Sequence, residues 1–114
     1  MSSKKADLLI KGGLVVSGQD ISKKDVAVYQ GKITEIGPDL QGYDAKSIVV
    51  ASKRYVLPGG IDSHAHPVYE DRMDSYSIAA AFGGITTVIA FVGNIKSWGF
   101  SGYTTDVVKA FIEE

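Results

Sequence analysis

Val56-Leu57-Pro58-Gly59-Gly60-Ile61-Asp62-Ser63-His64-Ala65-His66 is the stretch on which the reading of this chain turns. Pro58-Gly59-Gly60 interrupts whatever precedes it. Ile61 to His66 then reads as a short strand, stopped by Pro67. His64 and His66 are the only two histidines and stand at i, i+2, a spacing that places both rings on one face of a strand. Two neutral imidazoles side by side suit a divalent transition metal such as Zn²⁺, Mn²⁺ or Co²⁺. Asp62 has the same parity and is placed to orient a ligand from behind. The spacing is a weak signal by itself, because a zinc site takes at least three protein ligands. Glu70, Asp71 and Asp74, the nearest acids downstream, read as a solvated charge run. Metal ligands and an inert histidine pair therefore both stand as readings at this point.

Toward the C-terminus, Ser75 reads as an N-cap and Tyr76 to Phe82 as a helix closed by Gly83-Gly84. Thr86 to Val92 is almost wholly apolar or β-branched, the composition of a strand buried on both faces. A glycine-rich loop with Trp98, Phe100 and Tyr103 follows; aromatics in such a loop cap a hydrophobic edge more often than they bind a ligand. Thr104-Thr105-Asp106 supplies an N-cap and a first-turn acid for a last helix, with an apolar stripe at Val107, Val108, Phe111 and Ile112. That helix runs to Glu113-Glu114 with no glycine cap and with two acids where a helix end favours cations, so it reads as cut within the element or just past its useful end, with a frayed terminal helix as the other reading. The order β-α-β-loop-α is that of a parallel sheet with right-handed crossovers. Neither Gly59-Gly60 nor Gly83-Gly84 leads into the Lys and Ser/Thr of a phosphate-binding loop, and both read as tight turns.

Toward the N-terminus the pattern is one of strands and turns. Leu8, Ile10, Leu14 and Val16 share a parity interrupted by Gly12-Gly13, which predicts a bulged strand. Val26 and Val28 lead through Gln30-Gly31 to Ile33–Ile36, a hairpin. Ile48–Val50 and Tyr55–Leu57 flank a turn at Ser52-Lys53-Arg54. The change from hairpins to βαβ order near Leu57 divides the chain into residues 1–56 and 57–114.

The composition limits the function classes. The chain has 114 residues, enough for one ordinary domain but far short of the roughly 250 of a complete (β/α)₈ barrel. With 45% hydrophobic and 22% charged residues it can build a core. A formal net charge of −1 gives no electrostatic footprint for nucleic acid or an anionic membrane surface. No cysteine is present, which excludes a disulfide scaffold, a thiolate metal site and a cysteine nucleophile. The longest early apolar run, Leu8 to Ile10, is too short for a secretory signal or a spanning helix, and the expected location is the cytoplasm.

Val56–His66 resembles the first-barrel-strand signature of the amidohydrolase superfamily, and Ala79-Ala80-Ala81-Phe82-Gly83-Gly84-Ile85-Thr86-Thr87-Val88 resembles the helix and second strand that follow it. Asp7–Val16 and Asp25–Gly37 look like the opening strands of that superfamily's small β-sandwich. The nearest branch is the cyclic-amide hydrolases: dihydropyrimidinase and hydantoinase, with allantoinase and dihydroorotase as relatives. The resemblance covers roughly residues 7–92. It implies an α/β fold: partial β-sandwich strands over 1–56, then the first two β/α units of a TIM-type barrel over 57–114, incomplete. It also implies that His64 and His66 bind the more buried metal of a binuclear centre, with Asp62 a neighbour behind them. In that family a carboxylated lysine, further histidines and an aspartate from later strands complete the site, and a hydroxide bridging the metals attacks the ring carbonyl of a small cyclic amide.

The chain departs from the family pattern as well. No later strand is present to supply the remaining ligands, and Lys96 and Lys109 fall in the wrong β/α unit to bridge metals. The stretch from His66 to Gly83 is shorter than usual and lacks the glycine-threonine and paired-aspartate features often found there. No catalytic residue beyond the metal ligands is assigned. The expectation is a part of a metal-dependent cyclic-amide hydrolase, inactive alone and either self-associating or completed by a missing remainder. The other reading is a non-catalytic binding or assembly module from the same family. Tyr69 stands as a loop tyrosine with no assigned role.

Overall fold

The computed structural model describes residues 3–66, 72–93 and 102–113. The chain divides into two compact units, Met1–Pro58 and Gly59–Glu114.

The first unit is a five-stranded mixed sheet built on one long central strand. β1 (Lys4–Val16) pairs antiparallel with β2 (Ile21–Tyr29), which pairs antiparallel with β3 (Lys32–Gly37). On its other side β1 pairs in parallel with β4 (Tyr43–Val50) and then with β5 (Tyr55–Val56). Gln30 and Gly31 both have positive φ, 51° and 72°, and close the β2–β3 hairpin in two residues, the primed geometry that matches strand twist. The bulge expected at Gly12-Gly13 forms: Ile10 faces Val26 and Gly13 faces Lys24, so Lys11 and Gly12 together oppose Asp25. Gly12 takes φ 70°, which glycine adopts without Cβ strain. Opposite this bulge the edge strand is broken. Arg54 N–H donates to the Ala51 carbonyl at 2.9 Å, and Leu14 N–H to the Arg54 carbonyl at 2.9 Å, so the chain leaves β1 after β4 and rejoins it as β5.

The core of this unit holds Leu9, Ala27 and Leu40, with Tyr43 and Ala45 packed against it. Leu9, with Ala6, is buried, whereas Leu8, Ile10, Leu14 and Val16 are half-buried, because Leu40 from the following loop covers the Leu9 face. The opposite face lines an apolar concavity of about 380 Å³ that includes Ile10, Val26, Val28, Ile33, Ile36 and Val56.

In the second unit β6 (Gly60–Ala65) pairs in parallel with β7 (Ile85–Ala90), joined by helix α1 (Met73–Phe82); helix α2 (Thr104–Glu113) follows. Gly59 and Gly60 are required by close approach: a methyl on Gly59 would overlap the Thr86 side chain, and one on Gly60 would stand 2.7 Å from Ile85 Cδ1. Three expectations change. Helix α1 begins at Met73 rather than after Ser75, its N-cap is Arg72, and the Ser75 hydroxyl donates instead to the Arg72 carbonyl at 3.0 Å. In α2 the Tyr103 carbonyl accepts from Asp106 and Val107 N–H, placing the N-cap one residue before Thr104. Strand β7 is not covered on both faces: Thr87 and Ile89, the latter 59% exposed, lie open on one face, while Val88 and Ala90 on the other are half-buried. Val107 of α2 and Ala65 of β6 are buried. No helix among the described residues is long and apolar enough to cross a membrane.

Candidate metal centre

The last residues of β6 and the residue after β7 lie side by side, as a parallel pair requires. Ala65 is in register with Ala90, and Phe91 N–H donates to the Ala65 carbonyl at 2.7 Å. His64 and His66 flank Ala65 and project to the face opposite it, so Ala65 is buried and both histidines are exposed. Their rings meet edge to face with centroids 4.7 Å apart, and His66 Nε2 stands 2.8 Å from His64 Nε2. A hydrogen bond at that distance needs one Nε2 to carry a hydrogen and the other to offer its lone pair, so which ring donates is set by their tautomers. The Phe91 ring stands beside them, with centroids 4.9 Å from His66 and 6.4 Å from His64.

Asp62 does not reach either imidazole. Its Oδ1 accepts the backbone N–H of His64 at 3.1 Å and its Oδ2 accepts the Tyr76 hydroxyl at 2.9 Å. The hydrogen bond to this carboxylate, together with burial, raises the Tyr76 phenol above its ordinary value. A local irregularity explains the backbone bond. Asp62 is in register with Val88 and Ala65 with Ala90, so β6 has one residue more than β7 across the Ser63-His64 step. The Asp62 carboxylate takes up the His64 N–H at this break in the ladder.

Two Zn–N bonds of about 2.0–2.1 Å at a tetrahedral angle hold their nitrogens about 3.3 Å apart, so the two Nε2 atoms, 2.8 Å apart here, would separate slightly and both present lone pairs to share one cation. Among the described residues no group of three or more His, Cys, Asp and Glu side chains comes together. Asp74 is exposed in the first turn of α1 and Lys109 is exposed on α2. Tyr69, Glu70, Asp71, Lys96, Trp98 and Phe100 lie outside the described residues, and Tyr103 is 83% exposed. Sequence reasoning missed Phe91 and Tyr76. Phe91 was within reach of it, because the residue after the second of two parallel strands lies beside the end of the first.

No family model matches the chain. Among curated proteins it is 43% identical over 90 residues to the D-hydantoinase of Geobacillus stearothermophilus, covering 73% of this chain and 19% of that protein. Among solved structures it matches the dihydropyrimidinase of Brevibacillus agri NCHU1002 with a TM-score of 0.78 and 32% identity, over 92% of this chain and 23% of that one. It also matches an N-acyl-D-glutamate deacylase from Bordetella bronchiseptica, complexed with zinc and a phosphonate inhibitor, with a TM-score of 0.64 and 30% identity over 81% of this chain and 20% of that one. The chain thus spans about a fifth of the length of the relatives it matches. By sequence and by backbone together it belongs to the hydantoinase–dihydropyrimidinase branch of the amidohydrolase superfamily, matching the N-terminal portion of those enzymes.

Proposed function

We propose that His64 and His66 are ligands of a divalent cation, zinc first among the candidates, in a hydrolase acting on the ring C–N bond of small cyclic amides. On this reading residues 57–114 open a (β/α)₈ barrel, and residues 1–56 supply strands of a flanking β-sandwich, in a cytoplasmic protein. The observation that carries the reading is the approach of the two Nε2 atoms to 2.8 Å at the C-terminal end of a parallel strand, the end at which α/β active sites assemble. The homology to hydantoinases supports the substrate class. A cation there supplies Lewis-acid polarisation of an amide carbonyl and acidifies a water molecule. His64 and His66 offer the ring lone pairs, Asp62 holds the His64 backbone, and Phe91 shields the rings from solvent on one side.

The two donors found among the described residues fall short of the three or more protein ligands that hold a catalytic zinc. The remaining ligands belong on further barrel strands, supplied by association or by chain beyond these residues. The 114-residue chain alone therefore binds Zn²⁺ weakly and does not hydrolyse hydantoin or dihydrouracil. Calorimetric titration with Zn²⁺ is expected to show one weak equivalent that His64→Ala abolishes. Binding unaffected by His64→Ala, or two tight equivalents, would overturn the assignment.

A further inference from the structure

We propose that Tyr76 is a positioning residue for His64, acting through Asp62, and so sets the geometry of the histidine pair from helix α1. This rests on the metal-ligand reading of that pair. The Tyr76 hydroxyl donates to Asp62 Oδ2 at 2.9 Å, and the other oxygen of the same carboxylate accepts the His64 N–H at 3.1 Å. Each bond has a consequence for the next. A carboxylate held at one oxygen only is free to rotate about its Cβ–Cγ bond, a broad and nearly two-fold torsion. The tyrosine hydroxyl fixes that rotation, because its ring is carried by a helix and cannot follow the carboxylate around.

His64 needs this support because of its place in the sheet. It falls at the step where β6 has one residue more than β7, so the regular ladder does not set its backbone there. Its ring is exposed and touches the rings of His66 and Phe91. The direction of the ring is therefore governed by the local backbone, and the N–H bonded to Asp62 is the tie that holds that backbone to the strand. The route from helix to ligand runs Tyr76 hydroxyl, Asp62 carboxylate, His64 N–H, His64 ring, and each link is a hydrogen bond or a covalent bond within one unit of the chain. Asp62 divides its two oxygens between helix and strand; losing either partner leaves the other bond without its fixed geometry. Outer partners of metal ligands act in this way, and their loss typically weakens metal affinity about 10- to 100-fold.

The test is Tyr76→Phe, which keeps the ring and removes only the hydroxyl, with Tyr103→Phe as a control at an exposed hydroxyl. Two readouts are taken on the full 114-residue chain. The first is the amide and imidazole ¹⁵N–¹H shifts of His64 without metal; the second is the affinity for Zn²⁺ by calorimetry. Tyr76→Phe is expected to move the His64 signals, leave those of the first unit in place, and weaken Zn²⁺ binding about tenfold. Tyr103→Phe should change neither. Unchanged His64 signals in Tyr76→Phe would overturn the coupling. Moved signals with undiminished Zn²⁺ affinity would show that the coupling does not position a ligand, which also overturns the proposal. If the parent chain binds no Zn²⁺ at all, the metal reading of the pair fails instead, and the metal-free shifts still decide whether Tyr76 holds His64. Loss of dispersed signals throughout the second unit would mark Tyr76 as a structural staple, against the proposal.

Discussion

Asp25 is 2% exposed, and its carboxylate accepts from Gly12 N–H at 2.7 Å, Leu40 N–H at 2.9 Å and Lys11 Nζ at 2.8 Å. These bonds tie the bulge of β1 to the loop that delivers Leu40 to the core. Burial pushes the carboxyl up, but the Lys11 ammonium and the two backbone N–H groups outweigh it, and the group titrates below its ordinary value. A carboxyl held low in the folded state adds stability that is complete above its unfolded value, about 3.9, and is lost as pH falls through the lower folded value. The thermal stability of the first unit should therefore fall, and its unfolding midpoint drop, as pH goes below about 4. Asp25→Asn should cost about 2 kcal/mol at neutral pH, the scale of a hydrogen bond to a charged group, and should flatten that acid dependence without removing it. Some dependence remains because Asp7, Glu35 and Asp20, the last lowered to about 2 by the Ser22 and Ser17 hydroxyls and Lys24, shift the same way. An acid profile identical in the variant would show that Asp25 does not carry this linkage. Nothing within Lys23-Lys24-Asp25 distinguishes this acid from a solvated one, because the residues that bury it are Lys11, Gly12 and Leu40, distant in sequence.

The start of β6 is held against β7 by the absence of side chains. Gly60 N–H donates to the Gly84 carbonyl at 2.8 Å, and Gly84 takes φ 79° to turn the chain from α1 into β7. In Gly59→Ala the new methyl meets Oγ1, Cγ2 and Cβ of Thr86, and a β-branched side chain has little freedom to move aside. Overpacking of this kind costs about 1–3 kcal/mol. The variant should lower the unfolding midpoint of the second unit and speed hydrogen exchange at β7, and adding Thr86→Ala should recover part of the loss. No change in exchange would mean that the strands separate freely there. At this scale the turns were legible: Gly31 and Gly12 mark the hairpin and the bulge through residues suited to left-handed backbone, and the Ser52–Arg54 turn shows as a polar break between two apolar runs, although its left-handed residue is Lys53. The His64–His66 pair was legible through the two-residue period of a strand. The start of α1 was not, because Ser75 has the residue type of a cap but uses its hydroxyl inside the first turn. Tyr76 was not either, since its bond to Asp62 depends on how α1 returns to the strand.

Over the whole molecule, apolar surface is less covered than the composition leads one to expect. Ile33 and Ile36 are exposed at the concavity of the first unit, and Ile61, Ile89 and the 91%-exposed Phe82 lie open on the second. Among the described residues this parallel sheet has two strands, each with one edge that no described strand pairs, and such edges accept strands from other chains. The net charge of −1 offers no general repulsion to prevent this. We propose that the chain self-associates in solution through these surfaces. Sedimentation should give a weight-average mass above 12.2 kDa that rises with concentration into the range of roughly 100 µM. Ile36→Lys places a charge in the first unit's concavity and Ile89→Lys places one on the second unit's strand; each should lower the mass in proportion to the part its surface plays. The Ile89→Lys effect should be accompanied by faster exchange of β7 amides, because a paired edge is protected and a bare one is not. A parent chain that sediments at 12.2 kDa across that range, with β7 amides protected, would show that the chain covers its own edge and would remove the case for association.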